Sequence, residues 1–96
     1  MRLNPDQITI IRQAVQALAG ANAHAYVFGS RLHDHVMGGD IDLLLEADQD
    51  IGLLQRARIK SALEERLAIP VDVIAIRRGT PLTAFQRIAL EKGVLL

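Results

Sequence analysis

The sequence predicts a small α/β (α+β) domain, a mixed β-sheet with helices packed on it in the order helix, strand, loop, strand, helix, strand, helix. Three observations carry this expectation. Apolar residues recur at helical spacing in three segments, and three short runs rich in β-formers stand between them. The segment between the second and third runs is long enough for a helical crossover, whereas the segment between the first two is not. The chain has 96 residues, half of them hydrophobic, with no linker or repeat. That length reads as one domain over residues 1–96, with room for a single core.

Each element has its own signature. Asn4 reads as an N-cap with Pro5 at the first helical position, and Ile8, Ile11, Val15 and Leu18 follow at helical spacing until Gly20 ends the pattern. His24 to Phe28 (HAYVF) is a short strand that stops abruptly at Gly29. Asp40 to Glu46 (DIDLLLE) alternates at first and then turns uniformly apolar, as a central strand does. Asp48 or Asp50 is expected to cap a helix carrying Leu53, Ala57, Ile59, Leu63 and Leu67. Pro70 stops it, and Val71 to Ile76 (VDVIAI) is a β-branched strand. Thr80-Pro81 is expected to open a last helix with Leu82, Phe85, Ile88 and Ala89, ended by Gly93. Val94 to Leu96 reads as an edge strand or a dimer contact, which leaves homo-oligomerisation open.

Composition excludes several classes. There is no cysteine, hence no disulfide or thiolate zinc site, which fits a reducing, cytoplasmic setting. No apolar run approaches the roughly 20 residues of a membrane helix, and the polar, proline-bearing start is unlike a signal peptide. Eleven basic and eleven acidic residues cancel, which argues against free nucleic acid as a partner. The acids are concentrated: Asp34 to Asp50 holds six of them and no Lys or Arg.

The polar residues should meet at one end of the sheet. With the first two strands antiparallel, the exit of the first (Gly29-Ser30) neighbours the entrance of the second (Asp40, Asp42). With the second and third parallel, Asp72 reaches the same edge. Residues two apart on a strand share a face, so Asp40 and Asp42 form a carboxylate pair on a rigid support. Like-charge repulsion there calls for a cation, and open carboxylates suit magnesium sharing its shell with water and phosphates. Gly29 allows close approach of the backbone to a phosphate, and Ser30 adds a hydroxyl donor. Together these are the equipment for in-line phosphoryl or nucleotidyl transfer.

The segment GSRLHDHVMGGDIDLLLE, with Asp72 on the following strand, resembles the Gly-Ser, spacer, Asp-x-Asp signature of the DNA polymerase β-like nucleotidyltransferase superfamily. Its minimal nucleotidyltransferases, often encoded beside HEPN-family proteins, are the nearest group, and the resemblance covers essentially the whole chain. It implies a nucleotidyltransferase fold in which Asp40, Asp42 and Asp72 ligate two Mg2+ ions. It further implies that Gly29, Ser30 and Arg31 hold the phosphates of a nucleoside triphosphate, ATP, and that Asp72 helps deprotonate the acceptor hydroxyl. Gly39 stands where a serine often precedes the first acid. The same resemblance implies a partner, a HEPN-family ribonuclease toxin that the chain, as antitoxin, adenylylates on a hydroxyl.

Two other functions fit the sequence. One is a binding module that masks the toxin by contact alone, and the other is a small-molecule (antibiotic) nucleotidyltransferase completed by a second subunit. His33, Asp34 and His35 could be read as a transition-metal site, but with one further histidine and no cysteine a solvated loop is the better reading. Arg77 and Arg78, after the third strand, read as contacts to a phosphate or an acidic partner, or equally as a solvated turn.

Overall fold

The computed structural model describes residues 3–29 and 39–96. Helix α1 spans Pro5–Ala19. The Asn4 side chain accepts from the Gln7 amide at 2.8 Å, and the Gln7 side chain accepts from the Asn4 amide at 2.9 Å. This reciprocal box, with Pro5 where a missing N–H costs nothing, fixes the start of the helix. Strands β1 (His24–Phe28), β2 (Ile41–Ala47), β3 (Val71–Arg77) and β4 (Val94–Leu95) alternate with α2 (Leu53–Leu67) and α3 (Ala84–Lys92).

The four strands form one sheet in the order β3-β2-β1-β4. β1 runs antiparallel to β2, with Phe28 opposite Asp42, and β2 runs parallel to β3, with Asp42 opposite Asp72. The directions are those expected from connection length. β4 pairs antiparallel with β1 through Tyr26 and Val27, so the apolar tail lies along the sheet within its own chain.

Alternation along the strands divides the sheet into two unequal faces. Val27, Ile41, Leu43, Leu45 and Val71 point to one face and pack with Ile11 and Val15 of α1 and Ile59 and Leu63 of α2. All of these are buried, most of them completely. On the other face a smaller cluster of Leu44, Ile76 and Ala89 gathers Tyr26, Phe28, Ile74, Leu82 and Leu90 around it. There α3 is the cover, and only Ala89 of that helix is buried. The face with one short helix is the face that presents Asp42 and Asp72.

Local details depart from the sequence expectation. Asp40 lies just ahead of β2, which begins at Ile41. The N-cap of α2 is Gly52, without a side-chain bond, because Asp48 and Asp50 are engaged elsewhere by arginines. The last helix starts at Ala84, where Thr83 and Gln86 form a second reciprocal cap, while Thr80 bonds back to the Arg77 carbonyl in the turn before it. Leu53, at the first turn of α2, is 77% exposed, as Phe85 (60%) and Ile88 (54%) of α3 are, so the apolar stripes do not map wholly onto the core.

Candidate active site

At one end of the sheet β1 delivers Gly29, β2 receives the chain just after Asp40, and β3 begins beside Asp72. Opposition of Asp42 and Asp72 across a parallel ladder puts both carboxylates on the face covered by α3, close enough to share a hydrogen bond. Asp40, exposed on the approach to β2, adds its charge to Asp42. The Asp42 carboxyl is held above its ordinary pKa, first by partial burial and then by the charges of Asp72 and Asp40 and the bond to Asp72. Among the described residues no three His, Asp or Glu side chains stand close enough together to hold a metal ion between them. The arrangement is a tight carboxylate pair with a third acid beside it.

Gly29 sits against this pair. Its φ of +74° lies in the region that side-chain-bearing residues rarely adopt, and a Cβ built there would overlap the Oδ2 of Asp42. The absent side chain lets the turn lie directly against the Asp42 carboxylate. Gly39, at φ +92°, makes the second such turn immediately before Asp40. A serine at that position would be strained in this backbone.

Residues 10–96 match the family Polymerase beta, Nucleotidyltransferase. The chain belongs to this nucleotidyltransferase family. Among solved structures it is similar to a chain of the toxin-antitoxin complex MntA-HpeT, crystallised as a double aspartate-to-glutamate mutant, with TM-score 0.74 and 19% identity over 97% of this chain and 71% of that one. It is also similar to a protein described as a minimal nucleotidyltransferase, with TM-score 0.67 and 28% identity over 99% and 98% of the two chains. A Sulfolobus solfataricus protein described as a nucleotidyltransferase gives TM-score 0.51 and 22% identity over 93% and 80%. No curated protein matches the sequence.

Of the candidate residues for nucleotidyl transfer, the structure brings together Gly29, Asp42 and Asp72, with Asp40 alongside. Ser30 and Arg31, expected at the phosphates, and His33, Asp34 and His35 of the spacer lie outside the described residues. Arg77 and Arg78 are not at this end. They leave the far end of β3, where Arg78 donates to Asp48 at 3.0 Å and to the Asn22 carbonyl at 2.7 Å and pairs with Glu46 at 3.4 Å, while Arg77 reaches Asp50 at 3.5 Å. They tie down the loops at the end of the sheet opposite the acids, so of the alternatives open in the sequence neither the solvated turn nor a phosphate at the acid pair describes them.

Two residues near the acids escaped sequence reasoning. Lys60 and Glu64, one turn apart on α2, bond to each other at 3.0 Å and to the backbone of Val71. The amide of Val71 and the ammonium of Lys60 hold the Glu64 carboxyl below its ordinary pKa. Their i,i+4 spacing was visible as an ordinary helix pair, but only the tertiary structure brings them to β3.

Gly29→Ala tests the close approach. It should lower stability by about 1 kcal/mol or more in urea unfolding, because φ is positive and the new methyl must displace the Asp42 carboxylate. Unchanged stability together with an unshifted Asp42 would remove the steric argument.

Proposed function

We propose that the chain transfers AMP from ATP to a hydroxyl of a partner protein, a HEPN-family ribonuclease toxin, and thereby acts as its antitoxin. The observation that carries this reading is the Asp42–Asp72 pair at the starts of parallel strands, with no cation among the described residues set against Asp42 and with the Gly29 turn packed against its carboxylate. Family membership supplies the reaction class. The toxin-antitoxin relative supports the biological role, and its two mutated aspartates are spaced two apart, as Asp40 and Asp42 are. A protein acceptor is favoured by Phe85 and Ile88, which expose apolar surface on the helix that covers this face, Phe85 standing edge-on to Phe28 with ring centroids 6.0 Å apart.

The donor set fits magnesium. Oxygen-only, partly exposed carboxylates, one of them strained by its like-charged neighbours, suit a hard cation that keeps water and phosphate in its shell. Asp40, Asp42 and Asp72 would hold the two ions, whose chemistry when bound is to neutralise the triphosphate and the charge that develops on its departing oxygens. Gly29, Ser30 and Arg31 would orient the terminal phosphates. Asp72 would take the proton of the acceptor hydroxyl as its oxygen bonds to the α-phosphorus. The bond from that phosphorus to the bridging oxygen breaks, and pyrophosphate leaves.

The test is to incubate the chain with Mg2+, each labelled nucleoside triphosphate and its HEPN partner, and to weigh the products by mass spectrometry. An adenylyl increment on the partner, lost when Asp40 and Asp42 are both alanine, is the expected result. Neutralisation of the partner by that double variant as effectively as by the wild type, without any increment, would leave masking by contact as the mechanism.

A further inference from the structure

We propose that Lys60 is a positioning residue for Asp72, an inference that rests on the assignment of Asp72 to the transfer site. In a parallel ladder the peptide groups of successive residues face opposite sides of the strand. Ile41 donates to the Pro70 carbonyl at 2.9 Å, so the N–H and C=O of the next residue, Val71, face the free edge of the sheet. There α2 engages both. Glu64 Oε2 accepts from the Val71 amide at 2.9 Å, and Lys60 Nζ donates to the Val71 carbonyl. The same ammonium lies 3.0 Å from Glu64 Oε2 and 3.9 Å from Asp72 Oδ1.

Lys60 therefore reaches round the edge of the sheet from the face that holds α2 to the face that holds the acids. Its backbone bond locates the residue before Asp72, and its charge attracts one carboxylate oxygen of Asp72. Asp72 is thus set between a cation on one side and Asp42 on the other, with its second oxygen left for the site. A mobile Asp72, 61% exposed at its side chain, would otherwise sample several rotamers, and transfer needs one of them. Glu64 contributes by fixing Lys60 in turn, since the two side chains share one bond and one target residue.

The experiment uses Lys60→Met and Lys60→Arg in the intact chain. Side-chain three-bond couplings by NMR report the χ1 distribution of Asp72 without substrate or metal. Expected are one dominant rotamer in wild type, averaging in Lys60→Met, and recovery in Lys60→Arg. In the transfer assay Lys60→Met should lose about tenfold in kcat while KM for the triphosphate stays within about twofold, with most of the loss restored by arginine. An Asp72 equally ordered in Lys60→Met overturns the inference, whatever the assay gives. If Asp72 is released but the wild type transfers no nucleotide, the positioning role stands and the transferase reading fails.

Discussion

Asp42→Asn is expected to abolish nucleotidyl transfer and, at the same time, to raise the thermal stability of the metal-free protein. The first effect follows from the proposed role of the carboxylate. Losing several kcal/mol of charge stabilisation in the transition state is worth about a thousandfold or more in rate, at roughly 1.4 kcal/mol per decade. The second follows from electrostatics. Burial and the charges of Asp72 and Asp40 raise the pKa of Asp42, so the fold disfavours its ionised form. A group whose folded pKa lies above its unfolded value contributes stability that is fully present below the unfolded pKa and lost as pH rises through the folded one. Near neutral pH the wild type has lost this contribution, whereas asparagine keeps the shape without the charge. Thermal melts from acid to neutral pH should show the two proteins converging in acid and the variant melting higher at neutrality. Adding Mg2+ should then raise the wild-type Tm and leave the variant unmoved, because only the ionised pair binds the ion. A variant that melts lower than wild type at neutral pH would refute the electrostatic part, and one that retains transfer would refute the catalytic part.

Leu43→Ala should cost about 2–5 kcal/mol in urea unfolding. Leu43 is wholly inaccessible to solvent on the central strand, between the helices α1 and α2 and two neighbouring strands. A domain of this size is held by only about 5–15 kcal/mol in total, so the variant should lose a large part of its stability. Leu53→Ala, at an exposed position on α2, should by contrast change little. Similar losses at both positions would contradict the assignment of the core to one face of the sheet.

Much of this architecture was legible from residue order. The alternation in DIDLLLE and VDVIAI fixed which residues share a face, and the lengths of the connections fixed strand direction. Together they bring Asp42 and Asp72 side by side. What was not legible depended on partners distant in sequence. Asp48 and Asp50 have the right chemistry to cap α2, but Arg78 and Arg77 draw them away, and Gly52 takes the cap. Thr80-Pro81 looked like a helix start, although Thr83 followed three residues later by Gln86 carried the fuller signature and is the cap observed. Lys60 and Glu64 went unremarked because nothing local indicates that this side of α2 lies beside the start of the strand carrying Asp72.

The engagement of Val71 by α2 also bears on solubility. β3 is an edge strand of seven residues whose middle, Val73 to Ile76, is apolar and β-prone, the composition that invites strand addition by a neighbouring molecule. By occupying the outward-facing amide and carbonyl of Val71, Glu64 and Lys60 remove the first rung that an incoming strand would use, and Asp72 and Arg77 place charges at either end of the exposed stretch. The side chains proposed to order the acid thus also cap the free edge of the sheet where β3 begins.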